Sequence, residues 1–164
     1  MRDNYYFEGT ITPETVRDFL YFCNGDTRPI NFYIDSPGGD VAAYKILLDC
    51  LNDQEDVIVL PVSNASSCAF YLLLNVKHKI KFIDDSIVSF IHFPRRKVQI
   101  DFNRQLVVED DDEHEHFINR SKEDELSKQL YSLKLDKVKK KKLMTAKDIM
   151  FNIKDLKKIL HGKL

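Results

Sequence analysis

Residues 5–93 alternate between short strand patterns and helix patterns, and this alternation limits the possible folds more than any other feature. In the segment INFYID, Ile30, Phe32 and Ile34 share one side of a predicted strand. The next segment, DVAAYKILLDCLND (40–53), has its apolar residues at helical spacing. Strand–helix–strand order joins parallel strands through crossover helices. The sequence therefore predicts an α/β fold, built from repeated βαβ units around a mainly parallel sheet.

The remaining segments of this region continue the same alternation. A capping pattern at Thr12 or Thr15 predicts where the first helix begins. The further predicted strands are YYFEGT (5–10), VIVLPV (57–62), KIKFI (79–83) and SIVSFIHF (86–93), and the further predicted helices are TPETVRDFLYFCN (12–24) and NASSCAFYLLLNV (64–76).

Composition excludes several classes of protein. A chain of 164 residues that is 43% hydrophobic can form one domain with a real core. Its formal net charge of -1 gives no field that favours nucleic acid, and no apolar run is long enough for a membrane span. The three cysteines, Cys23, Cys50 and Cys68, form no disulfide framework or zinc pattern. Because the N-terminus does not resemble a signal peptide, the sequence predicts a cytoplasmic protein with reduced thiols. It predicts no cofactor.

The second half of the chain is highly charged. Residues 104–142 contain an acidic run and a basic run, and Leu126, Leu130 and Leu133 keep helical spacing, which predicts one long solvated helix or two. Asp112 and His116 would share a helix face, whereas His114 would not. Because this segment offers no third ligand, the sequence predicts no metal site.

The turn DSPGGD (35–40) follows a predicted strand and precedes a predicted helix. Gly38 and Gly39 permit positive φ angles or a close approach of the backbone, which leaves N–H groups free at a strand end. The alternative is an ordinary strand-to-helix turn.

Ser67 stands at the start of an apolar helical segment, where it could simply belong to the first turn of a helix that Asn64 or Ser66 caps. His92 ends an apolar strand pattern and could be an ordinary core residue. Taken together, the hydroxyl, the imidazole and the N–H groups of Gly39 and Cys68 indicate an acyl-transfer site.

These motifs resemble the proteolytic subunit of the Clp protease, a serine peptidase family of the ClpP/crotonase-like superfamily. INFYIDSPGGDVAA is similar to the Ser-Pro-Gly-Gly segment of that family, VSNASSCAFYLLL to its nucleophile segment and SIVSFIHFP to its histidine segment. FEGTITPETV and KLMTAKDI resemble its opening strand and a stretch near its C-terminus. The likeness covers about residues 5–94 and 139–156, and the step from Ser67 to His92 matches the spacing of the family.

The resemblance implies that Ser67 is the nucleophile, His92 the general base, and the amides of Gly39 and Cys68 the oxyanion hole. It implies one domain over residues 1–164, with a head (1–103 and 139–164) and a projecting helical arm, the handle (104–138). It also implies a homo-oligomer of heptameric or stacked rings that cleaves peptides or unfolded proteins fed by an ATP-driven unfoldase.

Four departures from the family pattern weaken these expectations. Lys141 stands where the family has the aspartate of its triad, and Ser63 and Ala69 replace the usual glycines around the nucleophile. RRKVQID (95–101) replaces a glycine-rich substrate-binding strand. The chain also starts near the first strand, so stable binding to a standard unfoldase is not expected.

Two functions of different class remain open. The first is a Clp-like serine endopeptidase, weakened because Lys141 cannot accept a hydrogen bond from His92, or rescued by Asp136. The second is a non-catalytic paralogue that keeps the fold for assembly. A relative that handles acyl-CoA is a third interpretation, which fits the paired serine and histidine less well.

Overall fold

A computed structural model of the chain describes residues 1–25, 27–92, 95–100, 106–107, 116–119, 125–144 and 148–164. They form two compact units, one of Met1–Ile91 with Met150–Leu164 and one of His92–Ile149. In chain order the elements are β1 (Asp3–Glu8), α1 (Pro13–Cys23), β2 (Ile30–Ser36), α2 (Val41–Asp53), β3 (Val57–Ala65), α3 (Cys68–Asn75), β4 (Lys79–Ile80), β5 (Ser89–Ile91), β6 (Arg95–Ile100), β7 (Leu106–Val107), β8 (His116–Asn119), α4 (Glu125–Ser132), α5 (Lys137–Met144), β9 (Ile149–Phe151), α6 (Ile153–Ile159) and a 3₁₀ turn (His161–Lys163).

The first unit is built on a four-stranded sheet in the order β1-β2-β3-β4, and every pair in it is parallel. One row of the sheet runs from Tyr5 through Phe32 and Val59 to Ile80. Parallel neighbours need crossover connections, which α1, α2 and α3 supply. The α/β fold with a mainly parallel sheet is therefore confirmed.

Aromatic side chains pack α1 against the sheet. The ring of Phe19 lies 4.8 Å from that of Tyr5 and 5.0 Å from that of Phe32, both edge-on. Phe19 and Phe32 are fully buried. The helix begins at a capping box, in which the Thr15 N–H donates to Thr12 Oγ1 at 3.3 Å and the Thr12 N–H donates to Thr15 Oγ1 at 2.9 Å. Of the two predicted caps, Thr12 is therefore the N-cap.

Helix α3 is the apolar centre of the first unit. Its first six residues, from Cys68 to Leu73, are all buried. The ring of Phe70 lies 5.6 Å from that of Phe151, which belongs to β9, the partner strand of β5. Although α3 is so apolar, it has only eight residues, and no helix in the described ranges is long and apolar enough to span a bilayer.

Several predicted boundaries are wrong by a few residues. Asn64 and Ala65 were predicted to begin a helix, but they extend β3, because Ala65 pairs with Ser36 and Asn64 bridges to Val88. The predicted strands 79–83 and 86–93 contract to the short β4 and β5. These differences arise because long-range pairing, which local patterns do not contain, decides where each element ends.

The second unit departs from the prediction of one long helix or two over residues 104–142, because part of that segment forms strands. Within the described residues, β6 pairs antiparallel with β7 and β8, for example Gln99 with Val107 and Lys97 with Phe117. Helical structure is described only in α4 and α5. Aromatic and β-branched residues at 107, 117 and 118 favour strands when a partner strand is present, and β6 provides it. Asp112 and His114 lie outside the described residues, and the division into head and handle stays a prediction.

Candidate active site

Ser67 occupies the sharp turn between β3 and α3, directly before the first helical residue. Its φ of 50° and ψ of -123° lie in a region that glycine adopts and that other residues avoid. These angles match the first central position of a type II′ turn. The side chain of Ser67 is half-buried and makes no capping hydrogen bond to α3. The hydroxyl is thus held on a strained strand-to-helix turn and is not used as an ordinary helix cap.

Hydrogen bonds from the segment around β5 hold this turn in place. The Ser67 N–H donates to the carbonyl oxygen of Phe90 at 2.9 Å. The Phe90 N–H donates in return to Ser66 Oγ at 2.7 Å, and Ser66 Oγ donates to Asn64 Oδ1. Ser66 is only 4% exposed. Strained backbone persists where its surroundings restrain it from several sides, and Ser66 provides that restraint here.

Sequence reasoning considered Ser66 only as a helix cap and missed this bridging role. The signal available was the adjacent pair Ser66–Ser67 at the start of an apolar segment, but its meaning depends on Phe90, which comes 24 residues later. A hydroxyl that is donor and acceptor at once satisfies two groups in a buried turn.

Gly38 and Gly39 lie against this turn and against residue 11. A Cβ atom on Gly38, whose φ is 98°, would lie 2.6 Å from Ser67 Cβ and 2.8 Å from the Cys68 nitrogen. Gly39 has a φ of 152°, and a Cβ there would lie 2.8 Å from the Ile11 nitrogen. The Ile11 N–H donates to the Gly38 carbonyl at 2.8 Å, and its carbonyl accepts from the Asp40 N–H at 2.8 Å. The glycine pair is therefore required by close backbone approach as well as by positive φ.

The backbones of Gly39 and Cys68 lie next to each other. The Cys68 thiol donates to the Gly39 carbonyl oxygen at 3.3 Å. Within the described part of the chain, the N–H of Gly39 has no hydrogen-bond acceptor. Cys68 is the first residue of α3, at the helix end where backbone N–H groups carry partial positive charge. The structure thus brings together Ser67, Gly39 and Cys68, three of the predicted site residues.

His92 is the first residue after β5, and its side chain is half-buried. It follows Phe90, whose backbone bonds to Ser66 and Ser67, by two positions. The β5 segment is also anchored by Ser89 Oγ, which donates to the Ala65 carbonyl at 2.5 Å. His92 is the first residue of the second compact unit, whereas Ser67 belongs to the first.

Lys141 and Asp136 lie in and beside α5. Lys141 is an exposed residue of that helix. Asp136 precedes the helix, and its Oδ1 accepts from the Lys139 N–H at 2.8 Å, which is the geometry of a helix cap. The Asp136 carboxylate therefore already has a structural role, which makes it a poorer candidate for orienting His92.

Lys163 binds the opposite end of α3 from Ser67. Its ammonium donates to the carbonyl oxygens of Leu73 at 3.2 Å and Val76 at 2.6 Å, and to that of Leu74. A cation at a helix C-terminus satisfies carbonyls that lack helical partners and favours the helix dipole. Burial lowers the pKa of Lys163 below its usual value. Sequence reasoning missed this residue, because nothing in the local sequence around it indicates α3.

The comparison with protein families decides what kind of chain this is. The model of the Clp protease family matches residues 7–152. The chain belongs to the Clp protease family. The match spans the Ser67 turn, the glycine pair and His92, so the family resemblance inferred from the motifs is confirmed.

Solved structures agree on the fold of this Clp protease family member. A mutant of ClpP1 from Listeria monocytogenes matches with a TM-score of 0.54 at 14% sequence identity, covering 95% of this chain and 86% of that one. At such low identity the match shows a shared fold. A search of curated protein sequences found no match.

Proposed function

We propose that this chain is a serine endopeptidase that cleaves peptide bonds through an acyl-enzyme on Ser67. The observation that carries the proposal is the backbone of Ser67, strained at φ 50° on a strand-to-helix turn beside Gly38 and Gly39. Strain of this kind concentrates at functional sites, and a merely structural serine would have no reason to keep it.

In this mechanism Ser67 Oγ attacks the carbonyl carbon of the scissile peptide bond while His92 takes the hydroxyl proton. The N–H groups of Gly39 and Cys68 stabilise the negative oxygen of the tetrahedral intermediate. His92 then gives its proton to the leaving amine, and water hydrolyses the ester on Ser67. The unpaired N–H of Gly39 within the described residues supports its part in this scheme.

The proposed activity is weak because the family aspartate is replaced by Lys141. Loss of the acid from a Ser-His-Asp triad lowers turnover by about 10⁴-fold, since the histidine loses its orientation and its counter-charge. Lys141 also supports the second candidate function, a non-catalytic paralogue that acts as an assembly subunit.

Labelling and hydrolysis separate these two candidates. A fluorophosphonate probe should label Ser67 of the native chain, and Ser67→Ala should remove the label. Ser86→Ala, at an exposed serine of the same unit, is the control and should keep it. Absence of labelling in the folded native protein would favour the assembly subunit.

Restoring the acid tests the assignment of Lys141. Lys141→Asp should raise the kcat/KM for a short fluorogenic peptide by about 10-fold or more, and adding Ser67→Ala should abolish the gain. Lys140→Asp carries the same charge change at an exposed neighbour and should give no gain. If Asp136 already orients His92, Asp136→Asn lowers the activity and Lys141→Asp adds little. No hydrolysis by any of these folded variants would contradict the peptidase proposal.

We also infer that the chain assembles into homo-oligomeric rings in the cytoplasm. Membership of the Clp protease family supports the assembly, and the odd number and wide spacing of the cysteines in the sequence are compatible with a reducing compartment. Sedimentation at micromolar concentration tests the inference, and a single monomeric species would contradict it.

A further inference from the structure

Two cysteines outside the Ser67 turn face each other across α1 and α2. Cys23 is the last residue of α1, and Cys50 lies in the last turn of α2. Their Sγ atoms are 3.9 Å apart. Cys23 is 3% exposed, whereas Cys50 is half-buried. The two thiols are therefore neighbours, and Cys50 is the one that solvent can reach.

A surface cavity of about 460 Å³ opens beside this pair. Both cysteines line it, together with Leu20, Thr27 and Ile46. A cavity of this size is in the range that holds small organic molecules. A low-molecular-weight reagent can thus approach Cys50 without unfolding the protein.

The two thiols differ in acidity. The hydrogen bond between them and burial both raise the pKa of Cys23. The same hydrogen bond lowers the pKa of Cys50, although burial and the charge of Asp53 oppose it. Because the thiolate is the nucleophilic form, Cys50 is the more reactive thiol.

We propose that Cys23 and Cys50 form a modification site that reacts with low-molecular-weight disulfides and closes into a reversible internal disulfide. The Cys50 thiolate attacks one sulfur of R–S–S–R, forms Cys50–S–S–R and releases one R–S⁻. Cys23 then loses its proton to the released thiolate and attacks the Cys50 sulfur. The S–S bond to R breaks, the Cys23–Cys50 bond forms, and the second R–S⁻ leaves and takes a proton from solvent. Two protein thiols are oxidised, and one disulfide is reduced to two thiols.

The geometry limits how much must move. A disulfide needs its sulfurs about 2.05 Å apart, so the two atoms must approach by about 1.9 Å. Rotation of the half-buried Cys50 side chain can supply this movement. The new bond would close a loop between residues 27 positions apart and would tie the ends of α1 and α2 together.

Intact mass spectrometry of the full chain tests the proposal. The protein is incubated in oxidised and reduced glutathione at graded ratios, and the reaction is quenched with acid. We expect a species lighter by the mass of two hydrogen atoms, restored by dithiothreitol, with one crosslinked peptide that joins Cys23 to Cys50. Cys68→Ala, at the third and buried thiol, should give the same species.

Serine variants identify which thiol reacts first. Cys23→Ser keeps a hydroxyl beside Cys50 but has no second thiol to displace glutathione, so it should accumulate one glutathione adduct on Cys50. In Cys50→Ser, modification of the buried Cys23 should be about 10-fold slower or more. The proposal is overturned if fully oxidised glutathione yields no loss of two hydrogens in the native chain, if the crosslink includes Cys68, or if it joins two chains.

Discussion

Replacing Ser67 by glycine should stabilise this protein even though it removes the proposed nucleophile. A residue other than glycine held at φ 50° and ψ -123° costs about 1–3 kcal/mol. Glycine avoids this strain but loses about 0.5–1 kcal/mol through its greater freedom in the unfolded chain. The difference leaves Ser67→Gly more stable than Ser67→Ala by about 1 kcal/mol, because both variants lack the hydroxyl and only alanine keeps the strain.

Urea unfolding followed by circular dichroism measures this difference directly. For a chain of this size, about 1 kcal/mol corresponds to a shift in Tm of about 2–4 °C. Ser63 is an exposed residue of β3 that does not have a positive φ, so there glycine should instead be less stable than alanine by about 0.5–1 kcal/mol. If Ser67→Gly were no more stable than Ser67→Ala, the strain attributed to the turn would be refuted.

Two further substitutions test the surroundings of α3. Both Gly38 and Gly9 have a positive φ, but only a Cβ on Gly38 would meet neighbouring atoms. Gly38→Ala should therefore destabilise the protein by about 1–3 kcal/mol more than Gly9→Ala. It should also abolish fluorophosphonate labelling. Equal losses of unfolding free energy in the two variants would contradict the close contact. Lys163→Met removes the ammonium from the α3 carbonyls and should lower the unfolding free energy by about 1–3 kcal/mol. The control is Lys158→Met, on the exposed face of α6, which should change the unfolding free energy by about 0.5 kcal/mol or less. A Lys163 variant as stable as the Lys158 variant would show that the contact contributes nothing.

The core of the fold was predictable because its strands and helices are also periodic in sequence. Ile30, Phe32 and Ile34 alternate in β2 and are fully buried, and the helical spacing of Leu47 and Leu51 matches the buried face of α2. In such segments the local pattern and the tertiary environment agree, so the pattern alone is informative.

The residues of the candidate site could be predicted from the sequence, but the hydrogen bonds that hold them in place could not. The glycine pair and Ser67 could be identified, because a run of two glycines and a serine before an apolar helix are visible in sequence. The bridge from Ser66 to Phe90, and the contact of Lys163 with α3, join residues that are far apart in the chain. The residues of β7 and β8 were predicted as helix for the same reason. Their partner strand, β6, lies elsewhere in the chain, so the local sequence pattern could not reveal the pairing.

The Lys163 contact also sets an order in time for this chain during synthesis. Helix α3 has eight residues, too few to be stable alone. Lys163, whose ammonium binds the carbonyls at the C-terminal end of this helix, comes 87 to 90 positions later in the chain. At about 5–20 residues per second, a ribosome needs roughly 5–20 s to cover that span. For the first seconds of that interval the Ser67 turn also lacks Phe90, so the hydrogen bonds from Phe90 cannot yet hold its backbone in the strained conformation. We therefore expect the strained geometry of Ser67 to form only after Phe90 has been translated.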